Sequence, residues 1–262
     1  MNRRRILGLL ALIAFVAVAV VAYAFLRTPE AATGPIQAPT LAAAAATNTP
    51  LSPTDTPIPA TAAAASDTPT PQPPSAPTPE PPAARLFEIS AAESVARFSI
   101  DEVLRGADNR VIGATNQVAG QIAIDAATPA NTQVGQIAVN ARTLTTDNDF
   151  RNRAIKNQIL RTDAFEFVTF TPTGLSGLPA SVAVGDTFQF QISGDLTITD
   201  ITRAETFDVT LTVVSADRIE GLATLSIRWA DYKLRIPSSP QVQTVAETVT
   251  LQLEFVAEAL VG

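Results

Sequence analysis

Few of the side chains that carry enzyme and metal chemistry are present in this sequence. It has no histidine and no cysteine, which excludes imidazole acid/base chemistry, His or Cys metal sites, thiol nucleophiles and disulfides. The remaining acid/base groups are carboxylates, two lysines (Lys156 and Lys233) and two tyrosines (Tyr23 and Tyr232). No nucleophile and base stand in a recognisable pairing, so no catalytic residue is assigned and the chain is read as a non-enzyme. Asp101 and Glu102 are neighbours, and on a strand they point to opposite faces and cannot act as a carboxylate pair. Asp147 and Asp149 have the spacing of a calcium loop, but the loop glycine and terminal glutamate are missing and Arg151 and Arg153 follow. No metal and no cofactor are therefore expected. Arg151 has two readings, a contact for a ligand head group at the mouth of a cavity or a surface arginine paired locally. With 25 acidic against 18 basic residues and a formal net charge of −7, nucleic acid is excluded as a partner, because its binding draws mainly on Lys and Arg.

The sequence is rich in apolar residues at a period of two. Phe188, Phe190, Ile192, Leu196 and Ile198 share one phase, which marks an extended strand with one apolar face. The same pattern recurs in Phe207, Val209, Leu211 and Val213, in Ile219, Ala223, Leu225, Ile227 and Trp229, and in Val249, Leu251, Leu253 and Phe255. Long strands in succession, joined by short turns, predict an all-β domain whose antiparallel sheet closes on itself, since an open sheet would leave apolar edges to aggregate. Phe98, Phe165, Phe167, Phe188, Phe190, Phe207, Leu225, Ile227 and Trp229 are the candidate lining residues of such a barrel. The stripe either surrounds a ligand or fills a solid core, and the solid core corresponds to a structural or adhesive domain. A slip of one residue would turn any strand's set outward. One helical connection fits between strands. Phe150, Ala154, Ile155 and Ile159 recur at helical spacing over Asp149 to Leu160, with Asp147 or Asn148 as N-cap.

Three segments with different physics precede and carry this pattern. Residues 1–27 begin with Arg3, Arg4 and Arg5 and run uncharged from Ile6 to Leu26, long enough for a transmembrane helix with its basic end cytoplasmic. This predicts a signal-anchor, a single pass through the cell membrane and an extracytoplasmic C-terminal domain; Ala22-Tyr23-Ala24 leaves a cleaved signal peptide as the other reading. Residues 28–84 hold 15 of the 20 prolines, interleaved with Ala and Thr, and are expected to form a disordered, semi-stiff tether. Residues 85–262 hold the barrel.

Several runs of that last segment resemble the YceI-like family. They are Val118 to Asp125, Ala141-Arg-Thr-Leu-Thr-Thr-Asp-Asn-Asp-Phe-Arg-Asn-Arg-Ala-Ile155, Ile159 to Phe170 and Gly194-Asp-Leu-Thr-Ile-Thr-Asp-Ile-Thr-Arg203. The most specific pieces are Leu144, Thr146 and Arg151, the Thr169-Phe170 pair and the Gly-Asp-Leu-Thr strand. The resemblance implies a lipocalin-like antiparallel β-barrel around a long apolar ligand, an isoprenoid or a similar long-chain amphiphile. The chain departs from the family pattern where Asn152 follows Arg151, where Ile100-Asp-Glu102 replaces a histidine-bearing strand and where Glu166 or Phe167 replaces a proline.

Overall fold

A computed structural model describes Tyr23, residues 27–41 and residues 84–260. Thirteen strands form one antiparallel sheet. The first stave of the barrel is β1 (Arg85–Ile89) and β2 (Val95–Leu104), interrupted by a turn; the second is β3 (Ala107–Thr115), β4 (Val118–Ala119) and β5 (Gln121–Ile124); the third is β6 (Gln133–Val134) and β7 (Ile137–Asn140). Five unbroken staves follow: β8 (Phe167–Ser176), β9 (Thr187–Ile198), β10 (Ile201–Ser215), β11 (Arg218–Arg228) and, after the short β12 (Val242–Val245), β13 (Thr248–Ala259). The ladder returns to its start. β13 pairs β11 along one edge, with Leu225 opposite Leu251, and the first stave along the other, with Leu251 opposite Phe98 and Glu258 opposite Glu88. Eight staves closed in this way leave no long free edge and enclose an interior about wide enough for side chains or one ligand.

The period-two phases decide which side chains enter. On β9 the buried positions are Ile192, Leu196 and Ile198, and on β10 they are Val209 and Leu211, while the intervening Thr, Gln and Asp residues face out. Thr187 with Thr212, and Thr197 with Thr202, form hydroxyl pairs on that outer surface. Glycines opposite aromatics let the wall close up. Phe98 faces Gly113 and Phe255 faces Gly221 across their ladders, and a Cβ on either glycine would meet the ring at 2.1 to 2.6 Å. β3 is the strand that sequence periodicity misses. Its first half is polar and its largest apolar residue, Ile112, is 51% exposed, so its buried positions are confined to Val111, Gly113 and Thr115.

Between the third and fourth staves lies α1 (Asp149–Ala154), capped by Asn148, whose Oδ1 accepts the Arg151 N–H at 3.0 Å. The predicted helix to Leu160 continues as a π-turn over Ile155–Ile159, with the Leu160 N–H donating to the Ile155 carbonyl. This wider turn lets Ile155, Ile159 and Leu160 all reach the barrel interior.

Residues 27–41 correct part of the expected tether. They run along the outside of the barrel as a strap. The Thr33 N–H and hydroxyl donate to Glu166, the Ile36 N–H to Gln117 Oε1 and the Leu41 N–H to Gln121 Oε1 at 2.7 Å. Arg142, 8% exposed, ties the strap to the connection. It pairs with Glu30 and Glu166 at 3.1 Å, and donates to the carbonyls of Ala31, Thr162 and Asp163. Residues 42–83 lie outside the described residues.

The expected transmembrane helix is likewise corrected. No helix among the described residues is long and apolar enough to cross a membrane, so the single-pass anchor over residues 1–27, attachment to the membrane through it and the cell-membrane location drawn from it are not supported. Residues 1–22 and 24–26 lie outside the described residues. At Arg27 the chain is already held to the barrel, by an ion pair with Asp163 and by Asn157 Nδ2 donating to its carbonyl at 2.9 Å.

Candidate functional site

The inward phases of the staves surround a cavity of about 350 Å³. Its wall is built from alternate residues: Ala96, Phe98 and Ile100 on β2, Val168 and Phe170 on β8, Phe188, Phe190 and Ile192 on β9, Phe207, Val209 and Leu211 on β10, and Leu251, Leu253 and Phe255 on β13. One end is bounded by Pro129, Leu178 and Val182 from two inter-strand loops. The other is bounded by Leu144, Arg151, Ile155, Trp229, Ile236 and Glu102. The apolar core of the barrel is thus arranged around a cavity. Phe170 and Phe207 meet edge to face at 5.0 Å, an arrangement that fixes both rings.

Seven of the ten candidate site residues come together on this wall: Phe98, Phe188, Phe190, Phe207, Ile227, Trp229 and Arg151. Three do not. Phe165 lies before β8 begins, in the turn after the π-turn, where Arg161 stacks on its ring at 4.8 Å. Phe167 opens β8 in the outward phase and is 39% exposed, because Val168 and Phe170 take the inward positions; the sequence phase was one residue off. Leu225 packs against the core cluster without lining the cavity. Val168, Phe170 and Glu102 are lining residues that sequence reasoning missed. The Thr169-Phe170 motif was a signal for Phe170, and the phase of Phe98 and Ile100 was a signal for Glu102.

The polar end of the cavity is an ion-paired rim. Glu102 is 8% exposed and accepts at Oε1 from Asn109 Nδ2 at 2.8 Å and from Arg151 Nη2 at 3.2 Å. The other arm of Arg151 reaches Asp147 at 2.5 Å. Arg151 thus both pairs locally and lines the cavity. Asp101 points the other way, as strand geometry requires, and pairs with Arg110 at 2.7 Å on the outside. Near the same end Tyr232 is 1% exposed and donates its hydroxyl to Glu205 at 2.9 Å. Its burial and that carboxylate push the phenol above its usual range. Trp229 is oriented by its indole N–H, which donates to the Ala246 carbonyl at 2.9 Å. On the π-turn, burial lowers the Lys156 ammonium below its ordinary range. Among the described residues no three acidic side chains gather as a metal site.

The sequence model of the YceI-like domain matches residues 87–257. The chain belongs to the YceI-like family. The match spans the barrel and leaves the strap outside it. Among the described residues, the only titratable side chains on the cavity wall are Arg97, Glu102 and Arg151. Solved structures of the same fold include the following two. Burkholderia cenocepacia BcnA is 16% identical with a TM-score of 0.53, over 64% of this chain and 98% of its own. A polyisoprenoid binding domain from Saccharophagus degradans, implicated in plant cell wall breakdown, is 18% identical with a TM-score of 0.53, over 68% of this chain and 99% of its own. No curated protein sequence is similar to this chain.

Proposed function

We propose that this YceI-like barrel holds a long apolar ligand, an isoprenoid or a similar long-chain amphiphile, with its chain in the lumen against Phe98, Phe188, Phe190, Phe207, Ile227 and Trp229. The observation that carries the reading is the cavity itself. Apolar side chains line it from the loops at Pro129 and Val182 to the rim at Glu102 and Arg151, and they leave a void that only an apolar guest fills without cost. Each buried methylene contributes about 0.8 kcal/mol, so about ten of them reach micromolar affinity without any polar contact. The Saccharophagus degradans domain of the same fold, described as polyisoprenoid-binding, supports this class of ligand.

The test is mass spectrometry of organic extracts from the natively purified chain, beside a washed and refolded control. A stoichiometric isoprenoid or acyl species in the native sample alone is the expected result. An empty barrel that also rejects added long-chain lipids would overturn the reading.

A further inference from the structure

On β2 the inward row Ala96, Phe98, Ile100 ends in Glu102, so the apolar wall terminates in a carboxylate. Among the residues lining the cavity it is the sole acid. Its Oε1 is taken by Asn109 and Arg151, while Oε2 accepts no hydrogen bond from any described residue. Among the described residues the sealed and partnerless side-chain polar atoms are Asn157 Oδ1, Gln158 Nε2 and Thr162 Oγ1. Glu102 Oε2 is not one of them, so open space remains beside it in a side chain that is otherwise more than nine-tenths buried. An acceptor with space beside it and no protein donor can take a donor carried by the ligand.

The surrounding charge decides what kind of donor. Arg151 is shared between Glu102 and Asp147, so the rim carries two carboxylates for one guanidinium. Arg97, the other cation on the wall, is engaged by Glu254 at 2.6 Å, and Arg110 by Asp101. An anionic head group drawn in beside Glu102 meets its carboxylate, while both guanidiniums of the cavity wall, Arg97 and Arg151, are already paired, which penalises it. We propose that Glu102 selects the ligand's polar end, favouring a neutral or cationic hydrogen-bond donor, such as an alcohol, phenol or amine, over a phosphate or carboxylate. This rests on the reading of the barrel as a container for a long amphiphile.

One chain carrying different heads tests it. Geranylgeraniol, geranylgeranylamine, geranylgeranyl phosphate and the matching headless hydrocarbon are titrated into the delipidated full chain, and the emission of Trp229, its single tryptophan, reports occupancy. The expected result is that the alcohol and the amine bind about tenfold or more tightly than the phosphate. Glu102→Gln, which keeps an acceptor but not the charge, retains alcohol binding and loses the advantage of the amine. Glu102→Leu brings alcohol and amine down to the hydrocarbon's level. Circular dichroism checks that each variant folds, and the wild-type ranking stands as a test without them. A phosphate that binds as well as the alcohol, or an alcohol preference that survives Glu102→Leu, overturns the inference and leaves the container reading intact. Failure of every probe to bind, the hydrocarbon included, overturns both.

Discussion

Phe190 and Ile227 sit on β9 and β11 with their side chains on the cavity wall. A carboxylate at either position would have to be buried in an apolar lumen or displace the ligand. Phe190→Asp and Ile227→Asp are therefore expected to abolish binding of a long-chain lipid while the circular dichroism of the barrel persists; unchanged binding in a folded variant would remove these residues from the site. Gly194 makes a different point. A Cβ there would lie 2.4 Å from the Thr171 carbonyl oxygen and 2.8 Å from the Pro172 Cα, both backbone atoms that cannot swing aside. Gly194→Ala is expected to cost about 2 kcal/mol through overpacking. Gly174 has open space around it, and Gly174→Ala is expected to stay within about 0.5 kcal/mol of the parent. Equal urea midpoints for the two variants would contradict the close approach of β8 to β9.

Among the elements, the strap over residues 27–41 is the one whose attachment has a defined chemical lock. Glu166 is buried beneath it, and burial alone would raise its pKa. Its bonds from the Thr33 N–H, Asn140 and the Thr33 hydroxyl, with the charge of Arg142, outweigh that and hold the carboxyl below the usual carboxylate range. A carboxylate depressed in the folded state stabilises fully above the unfolded value of about 4.3, and the stabilisation is lost as pH falls through the lower folded value. Strap docking is thus expected to be complete at neutral pH and to loosen in acid. In Glu166→Ala, hydrogen exchange should accelerate about tenfold or more over residues 29–36 at neutral pH while β9 to β11 keep their protection. Unaltered exchange in the strap would mean that Glu166 does not hold it. The strap also touches the connection that borders the cavity, through Asn157 and Asp163. The sequence showed none of this, since residues 28–41 share the Pro, Ala and Thr composition of the rest of the tether. What distinguishes them is a row of acceptors on the barrel, Asp163, Glu166, Gln117 and Gln121, spaced to meet their amides.

At the scale of the whole molecule, a ligand that binds only the closed barrel raises stability by mass action. At a free concentration about 100 times its Kd the gain is about 2.7 kcal/mol, and it should appear as a concentration-dependent rise in the midpoint of thermal unfolding. A midpoint that does not move while the extract still yields lipid would mean the lipid is carried outside the barrel. The antiparallel barrel, though not the transmembrane helix expected before it, followed from the sequence because strand alternation is local: Phe188, Phe190, Phe207 and Ile227 each take their side from their own strand, and the helical spacing and Asn148 cap likewise predict α1. Phase near a strand's start is a different matter, as Phe165 and Phe167 illustrate, because there the turn sets where the alternation begins. Arg151 and the phase of Glu102 were legible one by one, but their pairing at the rim was not. Arg151 meets Glu102 across 49 residues of chain, and the bridge of Thr145 to Ala114 brings the segment before α1 against β3. The amino-acid pattern by itself determined a closed antiparallel barrel with an apolar interior and no means of histidine or cysteine chemistry. The tertiary structure alone decided that the interior is open, where its charge sits and that residues 27–41 belong to the barrel's surface, because these depend on long-range packing that no local periodicity records.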